Sequence, residues 1–365
     1  ILRLNNLIKE IDMEMRNLLE KMKQIGASDL HLVSGVPPTF RVDGALRFSE
    51  EDEVLKPEKI KSLIYSMLDP KQRLLFEERK DLDFSYGISG IGRFRVNVHY
   101  QRGSIAASIR LIPYNIPSIK ELNLPPVLEE LCLKDRGLIL VTGPTGSGKS
   151  TTLASMIDII NTTRPVHIII IEDPIEYLHS HKKGVVEQRE VGGDTLSFAT
   201  SLKYCLRQDP DVIMIGEMRD LETISTAITA AETGHLVMAT LHTPDAPGAI
   251  DRIIDVFPPY QQSQIRLQLS TTLVAVIAQT LIPKANGKGR VPAVEVLIGT
   301  PAVGNLIRSG KSHQLYNIMQ TSVQIGMQTM DQSLINLVKK KLISREEALR
   351  RARDIRMVEE ALRSE

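Results

Sequence analysis

GLILVTGPTGSGKSTTLASMIDIIN, residues 137–161, decides how this chain is read. Gly137 opens a short apolar run, Leu138-Ile139-Leu140-Val141, which predicts a buried strand. Gly143, Pro144, Thr145, Gly146, Ser147, Gly148, Lys149 and Ser150 follow with the spacing G-x-x-x-x-G-K-[ST], and Thr151 comes next. Leu153, Met156, Ile157 and Ile160 then recur at helical spacing, and Asn161 marks a stop.

Strand, glycine-rich turn and helix together are the context that a P-loop requires. The residue types fit the chemistry. Glycines let the backbone approach phosphate oxygens that a Cβ would keep away. Successive N–H groups then converge on the anion, and the following helix offers its positive end. Lys149 can reach the β- and γ-phosphates, and the Ser150 hydroxyl can ligate Mg²⁺. A chance match is on the order of one per cent for a chain of this length, and the flanking elements lower it further. Nucleoside triphosphate binding is the expectation.

Working outward, 365 residues favour two domains, with a helical tail as a further part. A hydrophobic share of 42% and a charged share of 24% are those of an ordinary globular protein. The formal net charge of +1 gives no general pull toward nucleic acid or an anionic membrane. Tryptophan is absent and aromatics make up 4%, poor material for stacking bases. Cys132 and Cys205 lie far apart in apolar helical patterns and read as core residues, so a cysteine-rich zinc site is excluded. No apolar run approaches the ~18 residues of a membrane span. The start, ILRLNNLIKEIDMEM, is broken by Lys9, Glu10 and Asp12 and does not read as a signal peptide, so a cytoplasmic location is expected.

Before the P-loop, Leu4, Ile8, Ile11, Met15, Leu18, Leu19, Met22 and Ile25 predict an amphipathic helix. Ser28 to Val33 predicts a strand, and Asp43-Gly44 a hairpin turn between Phe40 and Phe48. Pro57 to Glu78 predicts two helices broken at Asp69-Pro70, and Leu82 to Tyr86 and Ile91 to Leu111 predict further strands. These make a compact α+β domain. Arg93 and Arg95 stand two apart, on one face of a strand, with Arg102 and Arg110 nearby. A solvated basic face and a group that meets phosphate both fit, and spacing alone favours the first. Pro113, Pro117, Pro125 and Pro126 suggest an interdomain linker over residues 113–126.

After the P-loop, strands alternate with helices, which predicts a parallel sheet. Val166 to Ile171 ends at Glu172, Asp211 to Gly216 ends at Glu217, and Leu236 to Leu241 ends at His242. A strand-end glutamate alone is often a cap or a surface charge. Three polar ends in register with a P-loop lie where open sheets bind ligands. Pro258 to Ile282 is read as helical, Gly287 to Arg290 as a turn, Val291 to Ile298 as a strand, and the chain from Thr300 as helical.

Ordered motifs now carry a resemblance. Beyond GPTGSGKST, Ile170 to Glu176 resembles an Asp box, and Arg207 to Asp220 an atypical Walker B with Glu217 in place of Asp. Thr233 to Thr243 resembles a His box, and GASDLHL and Gly92 to Asn97 match as well. Together they resemble the secretion-type motor ATPases of type II secretion and type IV pili, over nearly the whole chain. The assembly branch of that family carries four zinc-binding cysteines after the His box. With two cysteines, neither there, this chain is similar to the retraction branch. Gly299 to Lys311 resembles that branch's C-terminal signature, AIRNLIRE, with Gly304 and Ser309 in place of Arg and Glu.

The resemblance implies an α/β fold. A RecA-like P-loop core with a parallel sheet would span 127–298, preceded by a smaller α+β PAS-like domain over 1–112 and followed by a helical part over 299–365. It implies a homohexameric ATPase that powers pilus retraction and twitching motility, using ATP and Mg²⁺. Ser150 would hold Mg²⁺ with Glu217 in its outer shell. Glu172 would position or deprotonate the attacking water, in a role that could be exchanged with that of Glu217. His242 would sense the nucleotide or link it to a neighbouring face. Arg93, Arg95, Arg102 and Arg110 become candidates for reaching the phosphates. The implied partners are other copies of the chain, an inner-membrane pilus platform protein and the pilus machinery, without nucleic acid or zinc. The implied location is cytoplasmic, peripheral to the inner membrane at the pilus base. The rival readings are a nucleic-acid translocase, a nucleotide-binding scaffold without useful hydrolysis, and an assembly or accessory ATPase of the same family.

Overall fold

The computed structural model describes residues 2–363, with side chains at residue 11 and from residue 13 onward. Leu4 and Ile8 of the predicted stripe lie outside the described side chains, as residues 1, 364 and 365 of the predicted ranges lie outside the described residues. The chain divides into two compact units, Ile1–Tyr114 and Asn115–Glu365.

The first unit is built on an antiparallel sheet. Its strands are β1 (Asp29–Leu32), β2 (Thr39–Val42), β3 (Ala45–Phe48), β4 (Asp81–Ile88), β5 (Gly92–Gln101) and β6 (Ser104–Ile112), in the spatial order β3-β2-β1-β6-β5-β4. Asp43 and Gly44 turn the β2–β3 hairpin with φ of 51° and 82°, the positive values that a two-residue hairpin demands. Helices α1 (Leu2–Gln24), α2 (Pro57–Met67) and α3 (Pro70–Arg79) accompany the sheet. Asp69 caps α3 in a reciprocal capping box with Gln72, which explains the break between α2 and α3. Met15, Leu18, Leu19 and Met22 of α1 are buried with Ile60, Leu63 and Ile64 of α2 against Phe94, Val96 and Ile109 of the sheet.

The second unit holds a seven-stranded sheet, and here the apolar strands are buried on both faces. The strands are β7 (Gly137–Thr142), β8 (His167–Glu172), β9 (Val185–Glu190), β10 (Val212–Ile215), β11 (Leu236–Leu241), β12 (Leu273–Pro283) and β13 (Arg290–Ile298). Their order is β13-β12-β7-β11-β10-β8-β9, parallel throughout except for β13. Residues alternate between two cores. Ile139, Val141, Ile168 and Ile170 join α4 (Val127–Leu131) and α5 (Lys149–Thr163) on one face. Leu138, Leu140, Ile169 and Ile171 join α6 (Phe198–Cys205), α7 (Leu221–Glu232), α8 (Ala246–Asp255) and α9 (Pro259–Thr272) on the other. This sandwiching explains why the strands read as unbroken apolar runs. Cys132 and Cys205 are both buried free thiols.

One expectation needs correction. The stretch from Pro258 to Ile282 is not one helix: α9 stops at Thr272, and Leu273 begins β12, which lies parallel to β7. The run LVAVIAQTLI is apolar on both faces, so periodicity cannot separate a buried strand from a buried helix. The boundary between the two units falls inside the proline-rich stretch 113–126. The chain divides at Tyr114, and Ile119 and Leu124 are buried in the second unit's core. Prolines there fix a packed path, with Pro117 carbonyl accepting from the Ser155 hydroxyl at 2.5 Å.

Beyond β13 come α10 (Pro301–Arg308), α11 (Leu315–Thr321), α12 (Met330–Lys339), α13 (Arg345–Arg351) and α14 (Ile355–Ala361). Gly304 is buried where α10 packs on α9, and a Cβ there would stand 2.8 Å from the Ser270 carbonyl oxygen. The departure from the family signature at this position therefore permits a close helix–helix approach. Ser309 Oγ donates to the Asn305 carbonyl at 2.7 Å and closes the helix. Among the described residues, no helix is long and apolar enough to cross a membrane.

Candidate active site

The P-loop rests on two strands. β7 delivers the chain to Gly143, and Gly148, at φ 90°, turns it into α5. Gly143 has φ 141°, and a Cβ on it would come within 2.3 Å of the Gln279 carbonyl oxygen. Only glycine fits there. Gln279 is a buried residue of β12 whose side chain supports the loop from beneath. Its Nε2 donates to the Ser147 carbonyl at 2.7 Å, and its Oε1 accepts from the Thr152 hydroxyl at 2.9 Å. Lys149 Nζ donates to the carbonyls of Gly143 at 2.8 Å and Pro144 at 3.1 Å. Burial lowers the Lys149 pKa, against the pull of Glu217 and Glu176.

A cleft of about 510 Å³ opens over the loop. Thr145, Gly146, Gly148, Lys149, Ser150 and Thr151 line one side, and Glu172, Glu217 and His242 reach it from the ends of β8, β10 and β11. All three predicted strand-end residues therefore converge on the P-loop. Gly143, Pro144 and Ser147 belong to the loop but do not line the cleft. Gly216 lets β10 run close to β8, since a Cβ there would meet Glu172 Cα and the Ile171 carbonyl at 3.2 Å. The Thr240 hydroxyl donates to the Gly216 carbonyl at 2.5 Å, fixing the backbone just before Glu217.

The two glutamates have opposite electrostatics. Glu172 is buried, and burial, with the neighbouring charges of Glu176 and Glu190, pushes its carboxyl up to about 8. A backbone hydrogen bond at Glu176 and the Gln188 side chain act the other way without prevailing. Burial also acts upward on Glu217, but Arg219 and His242 outweigh it and hold the group below the usual carboxylate value. Arg219 Nε meets Glu217 Oε1 at 2.6 Å, and His242 Nε2 reaches the same oxygen at 2.8 Å. One carboxyl thus retains a proton near neutrality while its neighbour stays ionised, an arrangement that separates acid–base roles.

In the first unit, β5 and β6 bring three of the four predicted arginines together. Arg95 lies opposite Arg110, with Arg93 two residues along β5 on the same face. Asp29 of β1 also lies opposite Arg110 and accepts from its Nε at 2.8 Å, which relieves like-charge repulsion in the row. Arg102 does not join them. It sits in the β5–β6 turn at φ 49°, at the far end of the hairpin. The chain runs outward along a full strand before returning, so closeness in sequence becomes distance along the hairpin.

Sequence reading missed Gln279, Arg290 and the pairing of Arg219. Gln279 is the lone amide in an apolar run, and a buried amide must find partners, so it carried a usable signal. Arg290 follows a glycine-rich turn and lines the cleft from β13. Nothing in its local sequence pointed there.

Residues 7–351 match the family described as type II/IV secretion system protein. The chain belongs to the type II/IV secretion ATPase family. It is 50% identical over 341 residues to the type IV pilus retraction ATPase PilT of Pseudomonas aeruginosa, covering 93% of this chain and 98% of that one. It is 46% identical over 340 residues to the type IV pilus ATPase PilU of the same bacterium, covering 93% and 89%. A crystal structure of the pilus retraction motor PilT with bound ADP superposes with a TM-score of 0.86 at 52% identity, covering 94% of this chain and 98% of that chain.

Proposed function

We propose that this chain is an ATP-hydrolysing motor that powers type IV pilus retraction, working as a homohexameric ring. The observation that carries the chemistry is the convergence of Lys149, Ser150, Glu172 and Glu217 on one cleft, with the two glutamates pushed to opposite protonation. The likeness to PilT supports the assignment to retraction, and identity to PilT exceeds identity to PilU. In this reading the second unit is the RecA-like motor core and the first is PAS-like. The motor sits in the cytoplasm against the inner membrane at the pilus base, engaging a platform protein there.

The P-loop N–H groups and Lys149 bind the phosphates. The donors present fit Mg²⁺: a hydroxyl at Ser150 and an ionised carboxylate at Glu217 are hard oxygen ligands, few enough for an ion that also uses substrate oxygens. Among the described residues there is no cluster of three or more His, Cys, Asp or Glu side chains that would suit a different ion. Bound Mg²⁺ supplies positive charge to the β- and γ-phosphates. Ser150 would hold it directly and Glu217 through its outer shell. Glu172, with a proton affinity near the working pH, orients the attacking water and accepts its proton. His242 keeps Glu217 in place and reports on the nucleotide. The resemblance to the family makes Arg93, Arg95, Arg102 and Arg110 candidates for supplying positive charge to the departing phosphate. Closure on ATP and reopening after hydrolysis would then drive mechanical work.

Phosphate release by the purified full chain with Mg²⁺-ATP tests this reading. Turnover is expected in the unaltered chain and is expected to vanish in Lys149→Ala with the fold intact. Full activity in that variant would overturn the site assignment.

A further inference from the structure

We propose that Arg290 is a nucleotide-binding residue whose guanidinium pairs with a phosphate of the bound nucleoside di- or triphosphate. The inference rests on the ATPase reading and adds a residue to its site. Arg290 begins β13, is exposed, and lines the cleft together with Gly148, Lys149 and Thr151. It also lines a second cavity, of about 390 Å³, which shares Gly148, Thr151 and Leu281 with the first. The two cavities are therefore halves of one trough, and Arg290 stands where they join.

Three observations separate Arg290 from an ordinary surface arginine. First, its side chain makes no hydrogen bond or ion pair with any described residue, while the other cations of the cleft are engaged. Lys149 is bonded to the carbonyls of Gly143 and Pro144, and Arg219 is bonded to Glu217. Second, its base is firm. β13 is laddered to β12, with Arg290 opposite Pro283 and Pro292 opposite Leu281, and β12 carries Gln279 beneath the P-loop. The backbone of Arg290 is thereby held in register with the strand that lies beneath the phosphate cradle. Third, the cleft already contains Glu172, Asp173, Glu176 and Glu217. Adding the negative charge of a polyphosphate calls for a free cation, and a planar guanidinium suits phosphate oxygens by offering paired donors.

The test is titration of the full chain with ADP by calorimetry, comparing the unaltered protein with Arg290→Gln and Lys149→Ala. Loss of a charge-assisted contact is expected to weaken ADP binding by about tenfold or more in Arg290→Gln. An exposed side chain makes little contribution to folding, so the melting temperature should not move. An ADP affinity in Arg290→Gln within twofold of the unaltered chain would overturn the assignment. If the unaltered chain does not bind ADP, the ATPase reading falls together with this one. Normal binding by the unaltered chain, lost in Lys149→Ala and retained in Arg290→Gln, would overturn the Arg290 assignment alone.

Discussion

Arg219 grips both carboxylate oxygens of Glu217, Nε on Oε1 at 2.6 Å and Nη2 on Oε2 at 2.7 Å. The Arg219 side chain is 74% exposed and that of Glu217 is 18% exposed. Exposed pairs contribute about 0–1 kcal/mol to stability, so the grip is not there to hold the fold. Its effect is to keep a carboxylate ionised and oriented toward the P-loop, with His242 as a third contact.

Glu217→Gln should therefore leave the melting temperature nearly unchanged and reduce ATP turnover by about a hundredfold or more. Thermal melts and phosphate-release assays on one preparation read both quantities. A large loss of stability with modest loss of turnover would make the grip structural instead.

Glu172 makes a prediction about pH. Its folded pKa is raised to about 8, so the native state holds a proton that the unfolded chain has already released. The associated stability is full below the ordinary glutamate range and is lost as pH rises through about 8. Glu172→Gln should flatten that decline and should be the more stable protein above pH 8, by on the order of a few kcal/mol. Denaturant titrations on either side of that pH measure it. Turnover by the unaltered chain should rise over the same interval as the basic form of Glu172 grows, and Glu172→Gln should lack it.

Gln279 predicts a coupling between β12 and the phosphate cradle. Gln279→Leu keeps the volume but removes the partners of the Ser147 carbonyl and the Thr152 hydroxyl. Stability should fall by about 1–3 kcal/mol, and ADP affinity should fall with it because the loop loses its support. Urea denaturation and ADP titration of this variant test the two effects separately.

Gly304 predicts that restoring the family signature is harmful here. Gly304→Arg would drive a Cβ to 2.8 Å from the Ser270 backbone oxygen. Overpacking of this kind costs about 1–3 kcal/mol, which a lowered melting temperature would record. An unchanged melting temperature would mean that α10 shifts freely on α9.

Much of the site was legible because its residues are tied to backbone events. Gly143 of the P-loop is fixed by close approach and Gly146 and Gly148 by positive φ, and Glu172, Glu217 and His242 follow apolar strands whose ends must face the ligand edge. β12 was not legible, since a strand buried on both faces shows no alternation. Losing β12 hid Gln279 and left Arg290 in a nameless turn. The grip of Arg219 on Glu217 was hidden for another reason: residues two apart beyond a strand end carry no rule for which way they point. Arg102 shows the converse, in that nearness in sequence became distance along a hairpin.

The central claim is that this chain's ATP hydrolysis drives pilus retraction. The most direct test is deletion of its gene in the organism that encodes it, with surface pili counted and twitching motility scored. Deletion is expected to leave abundant pili without twitching, reversed by the unaltered gene and not by Lys149→Ala. Loss of pili on deletion, or full twitching restored by Lys149→Ala, would contradict it.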